Sequence, residues 1–259
     1  MDYNRASKQH EVQKMSKDTK KEKTQFQARG IFFTILAVIL PYILLMNAIL
    51  IVFTKGFLEH EYRLPDFPAD PYGFTLEERI EYGNASVDYI TSFESDETAD
   101  AKFAALKMKD GTQLFNEREL SHMKDVRIVF KNARLALFIM VVFVLCTLWL
   151  TCHKVDALPG LCNALLWGGG LSLGLMGVIL VLILTGFDSF FTTFHSIFFS
   201  SGTWLFWETD SLIRLFPEKL WVDGFTIAGG IAVFSSVLII LIALWGRNKM
   251  RVAPRKKQK

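Results

Sequence analysis

FDSFFTTFHSIFFSSGTWLFWETDSLIRLFPEKLW, residues Phe187 to Trp221, holds eleven Phe or Trp in 35 positions and yet carries Asp188, His195, Glu208, Asp210, Arg214 and Glu218. That much aromatic surface avoids water and that many charges avoid hydrocarbon, so the stretch belongs at a membrane surface and not across the membrane. Helical spacing puts Phe187, Phe190, Phe191, Phe194 and Phe198 on one stripe, with His195 on the same apolar side. Gly202 is expected to end this helix in a left-handed cap, and Asp210 to Phe216 to form a second short helix that Pro217 stops.

Outward from this stretch the apolar residues, 51% of the 259, come in blocks. Four blocks of about 18 to 26 residues are each long enough to cross roughly 30 Å of hydrocarbon at 1.5 Å per residue. The chain therefore divides into a basic cytoplasmic tail (1–29), a first span (30–54), an extracellular cap (55–134), a second span (135–152) and a cytoplasmic turn (153–160). A third span (161–186), the outer interfacial aromatic segment (187–224), a fourth span (225–246) and a second basic cytoplasmic tail (247–259) complete it. The expected fold is an all-α polytopic membrane protein, four transmembrane helices with a small mixed α/β cap and outer-leaflet amphipathic helices.

Charge sets the orientation. Of 29 Lys and Arg, eight fall before residue 30, one (Lys154) in the short turn and seven from Arg247 onward, which predicts both ends in the cytoplasm of a cell membrane. Basic tails beside spans anchor topology and anionic lipid, so the +3 net charge points to membrane lipid and not to nucleic acid. The first span lacks a small-residue cleavage site and reads as a retained signal anchor, kinked at Pro41. Cys146, Cys152 and Cys162 lie in or at the inner ends of spans, so no disulfide is expected.

Within the cap, Pro65, Pro68 and Pro71 mark an extended entry, and Thr75 with Glu78 makes a capping box ahead of a helix. Asp110-Gly111 signals a hairpin between 105–109 and 112–115. Asn116 and Glu119 repeat the capping spacing and open a helix that runs on into the second span. That helix carries His122 and, one turn on, Asp125, with Arg127, Lys131 and Arg134 expected to snorkel toward outer headgroups. If hydrocarbon began only at Leu135, His122 would stand roughly 20 Å above it, so an earlier start of the span is preferred. Gly168, Gly169, Gly170, Gly174 and Gly177 in the third span, and Gly229 and Gly230 in the fourth, are expected to allow close helix approach.

Familiar catalytic signatures are absent: no phosphate-binding G-x-x-x-x-G-K-[ST], no G-x-S-x-G and no H-E-x-x-H. What remains is His122 and His195, both assigned to one face of the membrane, where imidazoles suit proton transfer near neutrality. His10 and His60 have no patterned context, and His153 with Asp156 sits at the inner face, where a helix C-terminal cation is the ordinary role. A metal held by His122, His195, Asp188 or Asp210 is the competing chemistry, without tight ligand spacing to support it.

H-M-K-D-V at His122 to Val126, F-H-S-I-F-F, S-G-T-W-L-F and D-x-L-I-R-L-F-P-E-x-x-W ending at Trp221 together resemble the lipoprotein intramolecular transacylase family of bacterial integral membrane proteins, over roughly Gly30 to Gly246. The N-terminal tail is longer than that family needs, and Leu220 stands where a second aromatic is common. The resemblance implies an acyltransferase that moves the sn-2 acyl chain of a diacylglyceryl-cysteine lipoprotein onto the α-amino group of the same cysteine, giving the lyso form, with no cofactor. It implies His122 and His195 as catalytic acid and base, Asp125, Asp210 and Arg214 in support, and Phe191, Phe194, Phe198 and Trp204 around the acyl chain. Which ring is base and which acid stays open on the sequence: His195, on the apolar side, suits the base, and His122, close to Asp125, suits the acid. Two other classes stay open on the residues: a non-catalytic membrane adaptor or receptor with an aromatic lipid-binding surface, and a metal-dependent lipid hydrolase.

Overall fold

The computed structural model describes residues 2–152, 157–200 and 202–252; His153, Lys154, Asp156 and the basic run at 253–259 lie outside the described residues, as do the side chains of His10 and Cys152. In chain order the helices are α1 (Asp2–Val52), α2 (Lys55–Tyr62), α3 (Leu76–Thr91), α4 (Asp96–Ala104), α5 (Glu117–Cys152), α6 (Leu158–Phe198), α7 (Ser211–Leu215) and α8 (Glu218–Val252). Four are long and apolar enough to cross a membrane: Arg29–Val52 within α1, Glu117–Trp149 within α5, Leu158–Phe198, and Glu218–Arg251 within α8.

At 1.5 Å per residue, α5 and α6 run on the order of 55–60 Å, well beyond the ~30 Å of hydrocarbon. Both helices continue past the spans at the same end of the bundle, and α6 bends there at Gly186 (φ 176°, ψ 79°). Beyond the break at Gly186 the aromatic stripe is a helical segment of its own, and it ends at Phe198, before the expected Gly202; Gly202 serves the following turn at φ +81°. The fourth long helix likewise starts earlier than its apolar block, at Glu218, directly after Pro217. α1 continues through Pro41.

Helix α1 packs against α5, α6 and α8, and α6 packs against α8 and, more lightly, α5. Of the five glycines singled out in the span of α6, two lie where it closely approaches its neighbours. A Cβ at Gly168 would lie 3.0 Å from the Ala37 carbonyl oxygen, and one at Gly169 2.6 Å from Ile240 Cγ1. Gly170, Gly174, Gly177, Gly229 and Gly230 face open space, against expectation, because they point away from the α1 and α8 contacts. Cys146 and Cys162 are free thiols.

The cap is helical. Thr75 and Glu78 form the capping box of α3, Thr54 caps α2 and Ser95 caps α4. The expected α/β character fails at the hairpin. Gly111 does turn the chain at φ +86°, but the two arms share only one isolated bridge, Lys107 with Gln113, and there is no strand among the described residues. The arms instead give Leu114 and Phe115 to a core with Tyr89, Phe103, Met123 and Leu215, and burying those side chains outweighs extending a marginal ladder.

The basic residues of α5 also depart from expectation. Arg127, 1% exposed, donates to Asp96 and to the carbonyls of Tyr89 and Glu94, Lys131 pairs with Asp96, and Arg134 donates to the Thr91 carbonyl. They fasten the cap and do not reach for headgroups, because the end of α3 offers carbonyls and α4 offers a carboxylate within their reach.

Candidate active site

His122 and His195, about 70 residues apart in sequence, stack with ring centroids 6.0 Å apart and planes 24° from parallel. Both are buried, at 7% and 9% exposure. The reciprocal bonds between Asn116 and Glu119 start α5 just ahead of His122, and the end of α6 beyond Gly186 carries His195 to meet it. Phe199 and Phe206 stand edge-on to His122 at 4.9 and 5.3 Å. Phe191 lies 3.8 Å from His195 and Trp204 5.0 Å from it. Phe194 adds an edge at 5.6 Å.

The two rings are held differently. His195 Nδ1 lies 2.8 Å from the Phe191 carbonyl oxygen. A carbonyl only accepts, so Nδ1 carries the hydrogen and Nε2 of the neutral ring keeps its lone pair, the arrangement of a general base. His122 Nδ1 is buried without a hydrogen-bond partner. Asp125 makes no bond to that nitrogen, which leaves, of the two supporting roles expected for it, direct contact or holding the helix, only the second.

Asp210 and Arg214 bond to neither histidine. Asp210 accepts from Arg118 at 2.7 Å, from Asn116 at 3.1 Å and from the Trp207 amide at 2.8 Å, closing the 199–210 loop onto the start of α5. Arg214 donates to Asp70 at 2.8 Å and lies 3.4 Å above the Phe74 ring, fastening α7 to the cap. Phe198 turns outward at 48% exposure, its ring 4.9 Å from that of Phe194. Asp188 is exposed, and among the described residues no three His, Cys, Asp or Glu side chains converge as metal ligands do.

Three residues of the site escaped the sequence reading. Phe199 replaces Phe198 as a wall because the helix ends between them, and the extended backbone at Phe199 (φ −128°, ψ 150°) swings its ring back onto His122. Phe206 had no helical period to reveal it. Glu119 was legible only as a cap. Its carboxylate, 1% exposed, accepts from the Asn116 amide at 2.8 Å and also from the Leu212 amide of α7 at 2.7 Å, so one side chain starts two helices.

Known proteins agree with this architecture. A protein of unassigned function from Aquifex aeolicus is 29% identical over 223 residues, covering 86% of this chain and 98% of its own. The solved structure of the membrane-integral lipoprotein intramolecular transacylase Lit from Bacillus cereus superposes with a TM-score of 0.73 at 17% identity, over 88% of this chain and 99% of that one. A variant of that protein with one histidine replaced by alanine gives 0.68 at 17% identity, over 90% and 100%. The fold is thus that of the Bacillus protein, and residues 16–221 match the profile of the lipoprotein intramolecular transacylase Lit, so the chain belongs to that family of membrane-integral transferases.

Proposed function

We propose that this transferase moves the sn-2 acyl chain of a diacylglyceryl-cysteine lipoprotein to the α-amino group of that cysteine, leaving an N-acyl, S-monoacylglyceryl lyso form. The observation that carries the reading is the His122–His195 pair, 6.0 Å apart inside an aromatic wall. An α-amine with a pKa near 7.7 to 8.0 has to lose a proton to attack. His195 Nε2, left with its lone pair by the Nδ1–Phe191 bond, takes it. The imidazole pair carries a proton across to the departing sn-2 oxygen. Asp125 has no bond to His122, so the acid step belongs to the pair of rings and not to a carboxylate-held imidazolium.

Walls of Phe191, Phe194, Phe199, Phe206 and Trp204 keep water from competing with the amine for the ester, and Phe198 on the outward side guides the chain in. Both reacting groups belong to one molecule, so proximity contributes without a second substrate to bind. Asp210 and Arg214 act by holding the 199–210 loop and α7 against the pair. The distribution of Lys and Arg supports cytoplasmic ends and a site at the outer leaflet.

Mass spectrometry of a lipoprotein N-terminus from cells with and without this protein tests the reaction. The expected product has the same mass as the diacyl form, with one acyl chain now amide-linked. Either His122→Ala or His195→Ala, at parental abundance in the membrane, should lower transfer by at least about a hundredfold. An unchanged diacyl form would favour an adaptor, a lyso form with a free amine would favour hydrolysis, and parental transfer by both variants would end the two-histidine reading.

A further inference from the structure

Acyl transfer needs more than a base and an acid. As the amine nitrogen bonds to the ester carbon, the carbonyl π pair moves onto oxygen, and that oxygen carries a negative charge until the carbonyl re-forms and the bond to the sn-2 oxygen breaks. In a water-poor pocket such a charge calls for a positioned hydrogen-bond donor. Neither histidine supplies it while engaged in moving protons.

Several donors on the segments that carry the site are already occupied. Trp221 Nε1 donates to the Phe216 carbonyl at 3.0 Å, Ser196 Oγ to Thr193 at 2.8 Å and Thr203 Oγ1 to Ser200 at 2.9 Å. The Phe199 amide continues the helix to His195 at 2.8 Å, the Trp207 amide goes to Asp210 at 2.8 Å, and Asn116 Nδ2 to Asp210 at 3.1 Å.

Trp204 differs. Its indole lies 5.0 Å from His195 and 6.5 Å from Phe191, and its Nε1–H is fully shielded with no acceptor, unlike the satisfied indole of Trp221. Leaving a buried donor unmet costs folding free energy. The rest of this wall is built of Phe, a residue the chain uses 23 times and one that would line the pocket without that cost. An indole is the better choice where its N–H has something to do.

We propose that Trp204 Nε1–H donates a hydrogen bond to the ester carbonyl oxygen and holds the oxyanion formed on it, a catalytic contact beyond lining the acyl chain. The inference rests on the transacylase reading above. In the step, the hydrogen stays on the indole. The amine proton goes to His195, the acyl carbon exchanges its bond to the sn-2 oxygen for one to nitrogen, and the freed alkoxide takes a proton from the imidazole pair. Atoms and charge balance with no further reactant.

The test replaces Trp204 by Phe and, by site-specific incorporation, by benzothienylalanine, which keeps the bicyclic shape but has sulfur where the indole has N–H. A diacylglyceryl lipopeptide in detergent micelles is the substrate, and amide-linked product is followed by mass spectrometry. The expected result for the sulfur analogue is a fall in kcat of about 10²–10³-fold with KM within about threefold of the parent. Parental kcat with the analogue, or a loss that falls on KM alone, would overturn the donor role and leave Trp204 as a wall. The analogue preserves packing, so a failure of Trp204→Phe to fold leaves the test intact. A parental protein that forms no amide-linked product brings down the transacylase reading and this inference together, whereas an active parent with an equally active analogue brings down only the latter.

Discussion

Replacing Glu119 by Ala should loosen the whole floor of the site, although Glu119 touches neither substrate nor histidine in the mechanism above. Its two carboxylate oxygens accept from amides 2.8 and 2.7 Å away, those of Asn116 and Leu212, and at 1% exposure water cannot easily replace them. Hydrogen bonds to an ionised group contribute about 1.5–3 kcal/mol each, so removing both costs about 3–6 kcal/mol. For a chain of this size that lowers Tm by at least about 6 °C. Glu119→Gln keeps one acceptor and turns an NH2 toward one of the amides, so it should lose about half as much. Thermal unfolding in detergent, with hydrogen exchange at the Leu212 amide, reads both effects. The expected order of Tm is parent, then Gln, then Ala, with Leu212 protection falling in Glu119→Ala. An Ala variant that melts within a degree or two of the parent and keeps Leu212 protected would refute the idea that Glu119 ties α7 to α5.

Two further outcomes follow from the same packing. Gly168→Ala puts a methyl 3.0 Å from the backbone oxygen of Ala37, which cannot move aside, so it should cost about 1–3 kcal/mol; Gly170→Ala, with nothing within 4 Å, should not lower Tm, and equal losses at both would contradict the α1–α6 contact described. Burial pushes the Asp70 carboxyl up, but the Arg214 guanidinium and the Phe74 amide outweigh it and hold it below its ordinary value of 3.8. Its folded value is depressed, so its contribution is present above the unfolded value and is lost as pH falls through the folded one, in the range below about 4. The gap in Tm between parent and Asp70→Asn should therefore be smaller at pH 3 than at pH 7, and a gap that stayed constant would show that the Asp70–Arg214 pair is not the acid-sensitive contact.

The sequence by itself determined what depends on composition and on neighbours within a turn or two. Four apolar blocks had to become membrane-crossing helices, because hydrocarbon leaves a spanning backbone no other partner for its polar groups. The capping boxes at Thr75 and Asn116 form from residues three apart, and both are present. His122 and His195 stood out as the histidines with patterned surroundings, and the overshoot of two long helices brings them together. Only the tertiary structure decided which partners those residues have. Asp125 is one turn from His122 and does not bond to it, whereas Phe199 and Phe206, read as ordinary members of an aromatic run, flank its ring. Arg127 and Arg134 could have reached for lipid, and the carbonyls at the end of α3 lie nearer. Glu119 starts its own helix as its spacing predicts, but its second bond is to an amide 93 residues away. Such contacts join segments far apart in the chain, so packing of α5, α6, α7 and the cap sets them, and no local pattern encodes which face of each helix that packing will use.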